Sequence, residues 1–263
     1  MEDHVESVQS RYERGKQLRS VIPRSSHGEF KRQPDVDAVD ILLDQEQDRI
    51  QNLIPIRHQR MGENPYAFYR AGAKLMATDL ASTPTSNLMV QACGDAHLAN
   101  FGFYGSPGRR LVFDINDFDE TLPASFEWDV KRLAASFVIA SADNGIDAAD
   151  REAIAAHCSA SYRDAMLGFA SQGFLDVWYS HLDADQLIRS IKAEGKKKSA
   201  KQLRSLTKKA RRQDSRKALG KLTELVDGRN RIVSDPPFVV HFEDLDAEPI
   251  QHGDPAEILR VAL

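Results

Sequence analysis

Apolar residues recur at helical spacing at the head of the chain. Val5, Val8, Tyr12 and Leu18 predict an amphipathic helix over residues 4–20, closed by Pro23. A polar loop, Pro23-Arg24-Ser25-Ser26-His27-Gly28, follows it. Val39, Leu42, Leu43 and Ile50 predict a second helix over 36–50. Phe68, Leu75, Met76 and Leu80 predict a third, starting after Pro65 and stopping before Pro84. The pattern then changes to two strand-sized apolar runs, residues 87–93 and 110–115, flanked by Gly, Asn, Asp and Pro. Between them Gly94, Gly102, Gly105, Pro107 and Gly108 read as a loop. From Trp128 the spacing is helical again. One stripe is Val130, Leu133, Ala134, Phe137, Val138 and Ser141, ending near Gly145; another is Ile154, Cys158, Tyr162, Ala165, Met166 and Phe169, ending near Gly173. Shorter helices are expected at 174–181 and 183–193, and a strand-like run at 237–242. The pattern predicts an α+β chain, mainly helical, with a short β-hairpin carrying a polar loop.

With 263 residues, 41% of them hydrophobic and 28% charged, the chain has the profile of a soluble globular protein. The most apolar stretch, residues 133–140, is far too short to span a bilayer. The opening Met-Glu-Asp-His-Val-Glu has none of the features of a signal peptide, which predicts a cytoplasmic protein. Cys93 and Cys158 alone provide neither a disulfide framework nor a four-cysteine metal site. The net charge of −4 hides an asymmetry: residues 192–221 hold thirteen Lys or Arg against Glu194 and Asp214, a local +11 that leaves −15 on the rest. Four regions are expected: a helical region 1–86, a catalytic core 87–190, a basic helical segment 191–233, and a C-terminal region beginning at 234.

Chemistry concentrates in Gly94-Asp95-Ala96-His97-Leu98-Ala99-Asn100 and Asp114-Ile115-Asn116-Asp117-Phe118-Asp119-Glu120. Five carboxylates, a histidine and two amides fall within twenty-six residues. Crowded carboxylates repel one another unless a cation or substrate compensates, and hard oxygen donors without cysteine favour Mg²⁺ over zinc. Asp, Asn and Gly are also ordinary turn formers, so any one of them has a structural reading. Taken together, the spacing suits phosphoryl transfer, with one Asp orienting the nucleophile and an Asn and another Asp holding Mg²⁺ against phosphates.

Gly94-Asp95-Ala96-His97-Leu98-Ala99-Asn100 resembles the Gly-Asp-x-His-x-x-Asn catalytic loop of aminoglycoside phosphotransferases and choline kinases, relatives of the protein kinases. The resemblance implies Asp95 as catalytic base and Asn100 as a magnesium ligand. Ile115-Asn116-Asp117-Phe118-Asp119 is similar to the motif that supplies the second ligand in that superfamily. Asp129 lies twelve residues beyond Asp117, where those kinases start a helix with an anchoring Asp; this register selects Asp117 over Asp114 and makes Asp129 a structural anchor. Cys93 stands where the kinase loop usually has histidine. His97, Arg24, Arg70 and Asp119 are further candidates for substrate or phosphate contact. For Arg57, Arg60 and Arg70 a surface or ion-pair role is the stronger reading, and for His97 bracing of the loop.

The segments at residues 22–28, 68–72, 93–102 and 113–122, with Trp128-Asp129-Val130-Lys131-Arg132-Leu133-Ala134, resemble the bacterial family catalogued as domain of unknown function 2252. That resemblance implies a longer protein, in which a glycine-rich segment and a lysine-bearing strand follow the region present here. Neither is found in this sequence, nor is a Gly-x-Gly-x-x-Gly loop or a P-loop. The expectation is a kinase-like phosphotransferase fold that binds Mg²⁺ and ATP, truncated before the lobe that covers the nucleotide, and impaired in catalysis for that reason. Two alternatives stay open. Asp95-x-His97 also fits a metal-dependent phosphohydrolase, although the further histidine motifs of that class are absent. The basic segment 192–221 also fits a scaffold or nucleic-acid binder, although it contains no aromatic residue for base stacking.

Overall fold

A computed structural model describes residues 7–30, 32, 37–211, 215–236 and 239–241. The fold is α+β and mainly helical, with small antiparallel sheets. Two compact units divide between Thr207 and Lys208.

In the first unit, α1 (Val8–Val21) is capped by the Ser7 hydroxyl and α2 (Ala38–Glu46) by the Asp37 carboxylate. A helix not expected from the sequence, α3 (Ile54–Met61), starts with Pro55 in its first turn. The single helix expected after Pro65 is two, α4 (Pro65–Arg70) and α5 (Ala73–Ala81). Arg57 clamps the break by donating to the Ala71 carbonyl at 2.9 Å.

The strands need a correction. The two apolar runs become β1 (Met89–Ala92) and β3 (Leu111–Ile115), but they do not form one hairpin. The segment read as loop supplies β2 (Phe101–Gly105), which pairs with β3 across a tight turn at Ser106–Arg110. Closing that short turn costs less chain entropy than closing the longer loop from β1 to β3. β1 pairs instead with β4 (Leu122–Ser125), whose Pro123 is tolerated because this sheet has only two strands. The polar loop therefore links two different sheets.

Two long helices follow, α6 (Glu127–Asp143) and α7 (Ala148–Ala170), packed against each other, with Phe126 and Tyr162 stacked at 5.9 Å between ring centroids. On α6 the apolar stripe is half-buried, whereas Glu127, Arg132, Ser136 and Ser141 are buried. The short helix α8 (Phe174–Trp178) leads to β5 (Leu182–Asp183), which joins β3, and to α9 (Ala184–Ala193). Buried apolar residues around the strands are mostly small (Ala92, Cys93, Ala96, Val112, Ala124 and Ala184), and larger ones, Met61, Leu75, Leu80 and Ile188, are buried on the helices.

The basic segment forms α10 (Lys197–Arg211) and α11 (Ser215–Leu222). On α10, Ala200 and Thr207 are buried while Lys197, Lys198, Lys201 and Arg204 are exposed. The second unit holds α11 and a hairpin of β6 (Thr223–Val226) and β7 (Arg229–Ile232), turned by Asp227 and Gly228, both at positive φ. Much of the strand-like run at 237–242 lies outside the described residues. No described helix is long and apolar enough to cross a membrane.

Candidate functional site

The loop between β1 and β2 is held almost amide by amide. At its start, the backbone N–H groups of Cys93 and Gly94 donate to the two carboxylate oxygens of Asp129, at 2.7 and 3.1 Å. In its middle, the Leu98 N–H donates to Ser136 Oγ at 3.0 Å and the Ala99 N–H to the Tyr66 hydroxyl at 3.1 Å. Asn100 ends the loop by donating Nδ2 to the Asp95 carbonyl at 2.9 Å. Its own carbonyl then accepts from the Asn116 N–H at 3.0 Å, joining this loop to the acidic segment after β3. Gly94 is required at its position. It sits at φ +81°, and a Cβ there would stand 2.0 Å from the Glu120 carbonyl oxygen.

Asp95 is buried and forms an ion pair with Arg132, itself 2% exposed. Arg132 Nε donates to Asp95 Oδ1 at 2.5 Å, and Nη2 reaches the same oxygen. The guanidinium also donates to the Tyr69 carbonyl at 3.3 Å and lies 4.7 Å from the centre of the Tyr69 ring. Tyr69 returns a hydrogen bond from its hydroxyl to the Arg132 carbonyl at 2.8 Å. Burial pushes the Tyr69 phenol up to about 12, against the pull of Arg132. A buried charge of this kind persists only when paired and hydrogen-bonded, and here both conditions hold.

Oδ2 of Asp95 has a different environment. Its neighbour is His97 Nε2 at 3.6 Å, beyond hydrogen-bond distance. His97 is 3% exposed, packs edge-on against Tyr66, and leaves Nδ1 buried with no hydrogen-bond partner among the described residues. Burial lowers its pKa; Asp95 opposes this, while Arg132 and the nearby Arg70 reinforce it. Histidine in this setting stays neutral at physiological pH.

The acidic segment after β3 is exposed. Asp114 caps the N–H of Ile115, and Asp119 N–H points at Asp117 Oδ1 from 3.5 Å. The Glu120 carboxyl is pushed up by partial desolvation and then by the charges of Asp95, Asp117 and Asp119, so four carboxylates bear on one region. Among the described residues no three His, Cys, Asp or Glu side chains gather as a metal cluster. The donor pair expected for Mg²⁺ is one amide, Asn100, and one carboxylate, Asp117. Asn100 spends its Nδ2 on the loop, and its Oδ1 accepts no hydrogen bond among the described residues. Hard oxygen donors beside an excess of carboxylates suit Mg²⁺.

Of the expected site residues, Asp95, His97, Asn100 and Asp129 meet in one network, and Asp117 and Asp119 lie within electrostatic reach of it through Glu120. Arg70 ends α4, close enough for its charge to act on both Tyr66 and His97. Arg24 is exposed in a short 3-10 turn at Arg24–Gly28, and no described hydrogen bond or ion pair links its side chain to the loop. Sequence reasoning missed Arg132, Ser136, Tyr66 and Tyr69 as members of the site. A signal was present: Asp129, Arg132 and Ser136 fall at i, i+3 and i+7, one polar stripe along the helix.

The chain belongs to a protein family conserved in bacteria. The family model, described as "Uncharacterized protein conserved in bacteria (DUF2252)", matches residues 49–254, which include the whole of the loop network. No curated protein and no solved structure matches the chain.

Proposed function

We propose that the site is the phosphate-handling part of a Mg²⁺-dependent phosphotransferase that uses a nucleoside triphosphate. The observation that carries this reading is a buried carboxylate, Asp95, set in a loop anchored by Asp129 and joined to the acidic segment by the Asn116–Asn100 backbone hydrogen bond. Phosphoryl transfer depends on positioning and on neutralising phosphate charge more than on covalent chemistry by the protein. In this reading Asp95 orients the acceptor hydroxyl and takes its proton, while Asn100 Oδ1 and the Asp117 carboxylate would hold the ion. Mg²⁺, when bound, neutralises the phosphate oxygens and so makes a carboxylate-rich site compatible with a triphosphate. Arg70, exposed at the end of α4, is placed to meet further negative charge.

The environment of Asp95 favours phosphoryl transfer over the two-metal hydrolase. A hydrolase built on Asp95 and His97 would put a divalent cation against a carboxylate already bonded to a buried guanidinium, and the two cations repel. Titration with Mn²⁺, followed by water-proton relaxation, tests the metal site without requiring turnover. The reading expects saturable binding that Mg²⁺ displaces and that Asp117→Asn weakens at least tenfold. Binding that survives Asp117→Asn unchanged overturns the ligand assignment.

A further inference from the structure

Resting on the phosphotransferase reading, the inference here concerns which oxygen of Asp95 does the work and what fixes it. Asp95 sits on a loop, and a loop carboxylate can ordinarily present either oxygen. In this structure the two oxygens are not equivalent. Oδ1 is taken by two N–H groups of Arg132, whereas Oδ2 faces His97 Nε2 across 3.6 Å without a hydrogen bond. Arg132 is itself held on several sides: by the helix α6 that carries it, by the Tyr69 carbonyl and ring, and by Met76 Sδ at 3.4 Å. Its planar fork is far more directional than an ammonium group. The same helix also grips the loop backbone on both sides of Asp95, through Asp129 and Ser136.

We propose that Arg132 is the positioning residue of Asp95. It sequesters Oδ1 and turns Oδ2 toward the acceptor. In the transfer step the acceptor oxygen forms a bond to the γ-phosphorus as the bond from that phosphorus to the β–γ bridging oxygen breaks. The acceptor's hydroxyl proton passes to Asp95 Oδ2, and the nucleoside diphosphate leaves with the bridging oxygen. Arg132 touches neither substrate nor nucleotide; it acts through Asp95 alone.

The test uses the full chain with Mg²⁺·ATP, water serving as acceptor, and measures kcat and KM separately. Arg132→Met, close to arginine in volume but uncharged, is expected to lower kcat about a hundredfold, the effect of a misplaced catalytic group. KM for Mg²⁺·ATP should stay within about threefold, because the groups assigned to the phosphates are untouched. Arg132→Lys keeps the charge without the fork and should lose about tenfold in kcat; it carries the test should Arg132→Met fail to fold. In an Asp95→Asn background Arg132→Met should lower kcat no further, since both changes disable one unit. A retained kcat in both Arg132 variants beside a large loss in Asp95→Asn overturns the positioning role, as does a full additional loss in the double variant. A wild-type chain that neither binds nor turns over Mg²⁺·ATP, or an Asp95→Asn variant as fast as wild type, overturns the phosphotransferase reading and this role with it.

Discussion

Replacing Asp129 with alanine removes the anchor of the loop and leaves the rest of the site's side chains in place. Two backbone N–H groups, those of Cys93 and Gly94, lose a charged acceptor, and Cys93 is buried. A hydrogen bond to a charged group contributes about 1.5–3 kcal/mol, and a buried N–H left without a partner costs about 1–3 kcal/mol. The two bonds share one carboxylate and are not additive. Asp129 also lies in the first turn of α6, where a negative charge contributes about 0.3–1 kcal/mol more. The expected loss is therefore about 3–4 kcal/mol, equivalent to a fall in Tm of roughly 6–16 °C for a unit of this size. Asp129→Asn keeps one acceptor oxygen and should lose about half as much. Urea unfolding measures the global cost. Amide hydrogen exchange measures the local one: protection at Cys93 and Gly94 should fall by about two to three orders of magnitude at 1.4 kcal/mol per decade. A loss under 1 kcal/mol with unchanged protection at both amides would refute the anchoring role.

Three other substitutions probe the same network. Gly94→Ala forces a side chain at positive φ into the Glu120 carbonyl and should destabilise by about 2–4 kcal/mol, read from the urea midpoint; a shift below 1 kcal/mol contradicts the close approach. Ser136→Ala strands the half-buried Leu98 N–H and should cost about 1–2 kcal/mol, with faster exchange at Leu98 while exchange at Cys93 is unchanged. Glu127 gives a pH dependence. Burial alone would raise its pKa, but hydrogen bonds from Ser125 and Ser86 outweigh burial and hold it below its ordinary value of 4.5. A depressed folded-state pKa contributes stability above the unfolded value and loses it as pH falls through the folded one. The stability gap between wild type and Glu127→Gln should therefore be largest near neutral pH and shrink below about pH 4.5; a gap constant down to pH 3 contradicts it.

The local features of the chain were legible from its pattern. Helical spacing located α1, α2, α6 and α7 to within a few residues, and the density of carboxylates and amides located the loop and the acidic segment. Pairing between strands was harder to read. β2 contains Gly102 and Gly105, and β4 contains Pro123, so both carry residues that signal turns. Gly102 has a tertiary reason invisible in sequence: a Cβ there would stand 2.6 Å from Asn116 Nδ2. The Asp227-Gly228 turn of the β6–β7 hairpin is a recognised hairpin signal and was obscured by the surrounding basic run. The partner of Asp95 was hidden for a different reason. Arg132 lies 37 residues away on a helix whose apolar stripe drew attention, and only the fold shows that its polar stripe faces the loop. Hydrophobic periodicity reports which face of a helix is apolar; it does not report that a buried face can be polar when a loop's amides need partners.

The most direct test of the phosphotransferase reading is calorimetric titration of the full chain with ATP, with and without Mg²⁺, in wild type and Asp117→Asn. Saturable binding that requires Mg²⁺ and weakens at least tenfold in Asp117→Asn is the predicted result. Binding that is absent in wild type, indifferent to Mg²⁺, or unchanged on loss of the Asp117 carboxylate would contradict it.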